Sequence, residues 1–218
     1  MIKLLIFDAD GILWKFSEKD LEIAMKKFFK KYDVDGNVIN SRWNKIKDDV
    51  ETGKIKYEKC FDIQFKGLNA NKKIFKEWRH LHFNLPDIRI KPSPSVKPTL
   101  EKLRKRYKLA ILTDDVKDYK YKKMICKRLG LDGLFEKIFC SCDIGFKKPH
   151  KKAFLTVLNY FKVKPSEALF IGHSKDEVEG ARKQKIRTIA YRWDKGTKSD
   201  FYVKRFSEIP KILEKIEK

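Results

Sequence analysis

Ile2-Lys3-Leu4-Leu5-Ile6-Phe7-Asp8-Ala9-Asp10-Gly11 is the stretch on which the fold turns. From Ile2 to Phe7 every residue but Lys3 is apolar, and the run stops abruptly at Asp8. A short apolar run without alternation is the pattern of a strand buried on both faces, as in a parallel sheet. Gly11 then allows the tight geometry of a turn. A strand that ends in this way carries Asp8 and Asp10 to the edge of the sheet.

The same logic extends along the second half of the chain. Pro92, Pro94 and Pro98 punctuate the sequence, and beyond them strand and helix patterns alternate. Strands are expected at 108–112, 137–140, 168–171 and 187–191, with helices at 98–107, 117–129, 151–161, 177–183 and 207–216. Gly130 is placed to end the second of these helices. Such alternation implies an α/β fold, a Rossmann-like, mostly parallel sheet covered on both faces. Ligands of these sheets bind beyond the carboxyl ends of the strands. The polar clusters lie there: Asp8 and Asp10, Thr113 and Asp114, and the segment His173-Ser174-Lys175-Asp176-Glu177. Lys147 and Lys148 follow the third strand closely.

Between the first strand and the prolines the pattern is different. Leu21, Ala24, Met25, Phe28 and Phe29 recur at helical spacing, and weaker helical patterns follow at 41–51, 56–65 and 71–83. Residues 16–91 therefore read as a helical cap domain inserted into a core made of 1–15 and 92–218.

Composition narrows the class of protein. With 42% apolar residues in 218, the chain has the material for a real core. No apolar run approaches the roughly 18–20 residues that span a bilayer, and the N-terminal run is too short for a secretory signal. Cys60, Cys126, Cys140 and Cys142 lack the CxxC pairs of a zinc site and read as reduced thiols, which points to a cytoplasmic protein. If the third strand runs on past Cys140, Cys140 and Cys142 share one of its faces. The charge is strongly positive: 52 Lys and Arg against 30 Asp and Glu give +22, with the excess concentrated after Pro92. Such a surface attracts anions, from small phosphate esters to nucleic acid. No nucleic-acid motif accompanies it, and Lys-rich composition gives the same number.

Two aspartates two residues apart at a strand end can divide a phosphoryl-transfer reaction between them. One attacks phosphorus and becomes an aspartyl-phosphate; the other gives a proton to the leaving oxygen and later activates water. Carboxylates also bind Mg²⁺. A threonine hydroxyl can hold phosphoryl oxygens, and a lysine can neutralise their charge. Trp14 is close enough to Asp10 to line such a pocket.

Asp8-Ala9-Asp10-Gly11, Thr113, Lys148-Pro149 and the acidic segment from Gly172 to Ala181, each in order after its strand, resemble the four motifs of the haloacid dehalogenase-like hydrolases. The position of the insert is similar to that of the helical C1-type cap in that family. The resemblance implies that Asp8 is the nucleophile and a metal ligand. It implies that Asp10 is the general acid and base, and a second ligand through its backbone carbonyl. Thr113, with Asp114 beside it, and Lys148 then bind phosphate, and the acidic segment completes a Mg²⁺ site. Because Asp10 is kept, the resemblance favours a metal-dependent phosphatase of a small phosphorylated substrate over a dehalogenase. The fourth motif departs from the family pattern: His173 stands where an aspartate usually ligates the metal. Three outcomes are open at this stage. Asp176 or Glu177 replaces the missing carboxylate; His173 turns the preference toward another divalent metal such as manganese, zinc, cobalt or nickel; or catalysis is lost and a binding role remains.

Overall fold

The computed structural model describes residues 1–15, 17–68, 70–83 and 90–217. The domain boundary expected at Phe16 lies outside the described residues. The chain begins with β1 (Leu4–Phe7) and a short β2 (Trp14–Lys15). Four helices follow: α1 (Glu18–Tyr32), α2 (Gly36–Glu51), α3 (Tyr57–Gln64) and α4 (Lys72–Phe83). The chain returns through β3 (Lys91–Pro92) and alternates from there. In order come α5 (Val96–Leu103), β4 (Lys108–Thr113), α6 (Tyr119–Arg128), β5 (Lys137–Cys140), α7 (Ser141–Ile144), α8 (Lys151–Phe161), β6 (Ala168–Gly172), α9 (Lys175–Lys183), β7 (Arg187–Tyr191), β8 (Phe201–Val203) and α10 (Ile209–Ile216).

β1, β4, β5, β6, β7 and β8 form one parallel sheet in the order β5-β4-β1-β6-β7-β8. β1 lies in its middle, with Leu4 in register with Lys108 on one side and Ala168 on the other. This is the Rossmann-like α/β core expected from the sequence. The pleat sorts the apolar run of β1 onto two faces. Leu5 and Phe7 join Leu109, Ile111, Leu169 and Ile171 in one core, while Leu4 and Ile6 join Ala110, Leu112 and Phe170 in the other.

Several elements differ from the sequence expectation. β8 adds a sixth strand at the edge, and β2 pairs with β3 in a small antiparallel ribbon, one strand on either side of the segment that carries α1 to α4. α2 starts earlier than expected, at Gly36, where Asp35 caps it by accepting from the Asn37 N–H. β5 ends at Cys140 and the chain turns into α7, so Cys142 does not continue that strand and the two cysteines do not share a strand face.

Helices α1 to α4 enclose a separate cluster that includes Phe28, Ile39, Val50, Phe61, Phe65 and Trp78. The helical layer touches the core at a few defined points. Lys147, after α7, pairs with Asp48 and with Glu51 of α2, the latter at 3.0 Å. Gly53, just past α2, has φ +71° and lies against the backbone of Cys142, so closely that an added Cβ would stand 2.1 Å from the Cys142 carbonyl oxygen. Gly53→Ala therefore meets both a left-handed backbone and a blocked contact. Gly67, also at φ +71°, has nothing among the described residues within 4 Å of an added Cβ and costs only the backbone part. The expected losses in urea unfolding are about 1–2 kcal/mol for Gly67→Ala and clearly more for Gly53→Ala. Equal losses would show that the Gly53–Cys142 contact does not hold the two layers together.

Candidate functional site

The site lies at the carboxyl ends of β1, β4 and β6, three adjacent strands in the interior of the sheet. Asp8 leaves β1 with its backbone N–H on the Ile171 carbonyl at 2.9 Å and its side chain nearly buried. Lys148 reaches it from the loop after α7: its Nζ donates to Asp8 Oδ1 at 2.6 Å and lies 3.2 Å from Glu177 Oε1. The ammonium is wholly buried. Burial favours its neutral form, but the carboxylates of Asp8, Glu177 and Asp114 hold it protonated, well above its ordinary range. One buried cation thus joins the first motif to the fourth.

Asp10 is turned the other way. Its Oδ1 accepts from the Trp14 indole N–H at 2.6 Å and its Oδ2 from Lys122 Nζ at 2.8 Å. Burial raises its carboxyl above the usual value, and the Lys122 ammonium works against that rise. The two aspartates therefore stand two residues apart in different surroundings, one locked to Lys148 and the other to Lys122.

The remaining expected residues divide. Thr113 ends β4 and is buried next to this edge. Asp114 does not face outward from it. Both its oxygens accept from the backbone N–H of Lys148, at 3.1 and 3.2 Å, so it sets the course of the Lys148 loop. Glu177 turns inward from the first turn of α9, whereas Asp176 beside it is exposed. Among the described residues Glu177 Oε2 is buried without a hydrogen-bond partner. Its carboxyl is pushed up to about 7, chiefly by burial, with Lys148 opposing and Asp8 adding to the rise.

His173 follows β6, half-exposed over Gly11, and its Nε2 stands 3.6 Å from Asp8 Oδ2, the oxygen that Lys148 leaves open. That gap is too long for a hydrogen bond. Two ligands bonded to one ion at about 2.0–2.1 Å stand roughly 3–3.6 Å apart. The pair thus fits a divalent ion that takes nitrogen beside oxygen better than it fits magnesium, which asks for oxygen alone. Among the described residues no third His, Cys, Asp or Glu closes a cage around such an ion.

Lys122 and Asp115 were not expected in the site. Lys122 is completely buried and pairs with Asp115 at 2.7 Å as well as with Asp10. The sequence hides it among Lys120, Lys123 and Lys127, yet its helical phase is readable. Ile125, Cys126 and Leu129 follow it at three, four and seven residues and lie on the inward face. Trp14, expected near Asp10, is fully buried and bonds to it.

Residues 5–191 match the model of the haloacid dehalogenase-like hydrolases. A glyceraldehyde 3-phosphate phosphatase of Pyrococcus furiosus is 27% identical to the chain, over all of it and 94% of that protein. A pyrophosphatase PpaX of Bacillus mycoides is 26% identical over 65% of the chain and 67% of that protein. Among solved structures, a 2-haloacid dehalogenase of Pseudomonas syringae superposes with a TM-score of 0.78 over 99% of this chain and all of that one. Its identity of 23% makes this a likeness of fold. Among the described residues no helix is long and apolar enough to cross a membrane.

Proposed function

The chain belongs to the haloacid dehalogenase-like hydrolases, and from that premise we propose that it is a phosphatase that hydrolyses a small phosphate monoester through an aspartyl-phosphate on Asp8. The observation that carries this reading is the division of labour between the two aspartates: Asp8 paired with Lys148, and Asp10 held apart by Trp14 and Lys122. The names of the relatives agree, since a sugar-phosphate phosphatase and a pyrophosphatase both cleave a phosphoryl group from oxygen.

In the first step an Asp8 oxygen forms a bond to phosphorus while the bond from phosphorus to the ester oxygen breaks. Asp10 delivers its carboxyl proton to that oxygen, and the alcohol leaves. In the second step Asp10 takes a proton from water as the water oxygen attacks phosphorus. The bond to Asp8 breaks, and phosphate departs. Lys148 neutralises the charge gathered on Asp8 and on the phosphoryl oxygens, and Thr113 at the end of β4 donates to those oxygens. Asp114 holds the Lys148 loop in place for this role. Asp8 and His173, with the backbone carbonyl of Asp10, would hold a divalent ion. When bound, the ion supplies further neutralisation of the phosphoryl group. Residues 16–91 act as a cap that shields the intermediate from bulk water.

Turnover of an aryl phosphate by the pure protein, measured with magnesium, manganese, cobalt, nickel, zinc and a chelator, tests this reading. Metal-dependent hydrolysis is expected, faster with a nitrogen-accepting ion than with magnesium. His173→Asp is then expected to raise the ratio of magnesium to manganese or cobalt activity by about tenfold or more, the scale on which changes at a metal site act. Hydrolysis that is indifferent to metal and chelator would contradict the ion's part in it. An unchanged ratio would remove His173 from the ligands.

A further inference from the structure

Lys122 lies outside the four motifs and yet, among the described residues, is matched in enclosure only by Lys148: its side chain has no solvent exposure. Placing an ammonium there has a large desolvation cost that only well-placed partners offset. Its partners are Asp10 Oδ2 at 2.8 Å and Asp115 Oδ2 at 2.7 Å. Asp115 is itself fixed. Its backbone N–H donates to Ser141 Oγ at 3.1 Å, and its Oδ1 accepts from the Lys117 N–H at 3.0 Å. A continuous series of bonds thus runs from the end of β5 through Ser141, Asp115 and Lys122 to Asp10. On the other side the Trp14 indole fixes Oδ1 of the same carboxyl group, and Lys122 Nζ lies 5.6 Å from the Trp14 ring centre.

An aspartate at a strand-end turn would otherwise rotate freely about its side-chain bonds. Proton delivery needs a defined position, and a misplacement of about 1 Å can cost on the order of a hundredfold in rate. We propose that Lys122, anchored by Asp115, is a positioning residue that aims the Asp10 carboxyl group at the leaving-group oxygen. The proposal rests on the phosphatase reading above.

The consequence is selective. An alkoxide leaving group needs the proton from Asp10 as its bond to phosphorus breaks, whereas nitrophenolate departs as a stable anion without it. Steady-state kinetics of Lys122→Met on glycerol phosphate and on nitrophenyl phosphate read out the difference. On the alkyl ester kcat is expected to fall by about a hundredfold or more, with KM changed less than about threefold. On the aryl ester kcat/KM, which is set by the first step, falls less than about fivefold, while kcat falls with the slowed attack of water in the second step. Asp10→Asn gives the same pattern, and the double variant is no worse than Asp10→Asn alone. Lys122→Arg keeps the charge and recovers part of the loss. Trp14→Phe keeps the ring, gives up one bond to Asp10, and shows a weaker form of the same selectivity. If Lys122→Met does not fold, Lys122→Arg and Trp14→Phe carry the test. Equal losses of kcat/KM on both esters, or losses that multiply in the double variant, overturn the positioning role. A wild-type protein inactive on both esters would instead remove the phosphatase reading, and this proposal with it.

Discussion

Asp8→Asn is expected to abolish hydrolysis of every phosphate ester the wild type cleaves, by at least about a thousandfold in kcat, in a protein that still folds. The amide has nearly the shape of the carboxylate but is no nucleophile, and nothing else at the end of β1 can replace it: Asp10 is held by Trp14 and Lys122. Removing a nucleophile that forms a covalent intermediate takes away most of an enzyme's rate advantage. The fold survives because Lys148 keeps Glu177 as a partner after the change. Kinetics together with circular dichroism check both halves of the expectation. Residual activity within about tenfold of wild type would place the nucleophile elsewhere.

Lys148→Met is expected to have the larger effect on stability. The lysine side chain is fully buried, and Asp8 and Glu177, its partners, retain only 7% and 17% exposure. Without the ammonium, two carboxylates a few ångströms apart lose their shared counterion in a site that water barely reaches. Removing one member of a buried charge pair costs about 3–5 kcal/mol, to be read as a shift of the urea midpoint. Adding Glu177→Gln removes one of the stranded charges and is expected to restore a good part of the loss. A single variant that loses less than about 1 kcal/mol would mean that Lys148 is no structural link between the motifs.

The sheet was legible because burial on both faces writes an unmistakable run into β1, and because Thr113 and His173 fall where β4 and β6 stop. The ribbon of β2 and β3 was not. Trp14–Lys15 and Lys91–Pro92 are two residues each and far apart in sequence, so no period can announce their pairing. β8 escaped for a similar reason: Phe201-Tyr202-Val203 is too short for alternation to be distinguished from chance. In the fourth motif the identity of the acids was readable but not their direction. Glu177 shares a helix face with buried Ala181, four residues on, and turns inward; Asp176 is rotated out to solvent. Asp114 was grouped with phosphate binding by its place beside Thr113, and only the folded chain shows its oxygens on the Lys148 backbone. Lys122 was the residue most easily passed over, since three neighbouring lysines dilute the one that points inward.

The most direct test of the account is to stop a single turnover with acid and determine by mass spectrometry where phosphoryl is carried. A phosphoryl group on the peptide that contains Asp8, released by hydroxylamine and absent from Asp8→Asn, is the result the account predicts. Phosphoryl on another residue, or wild-type turnover through which Asp8 stays unmodified at every quench time, would contradict it.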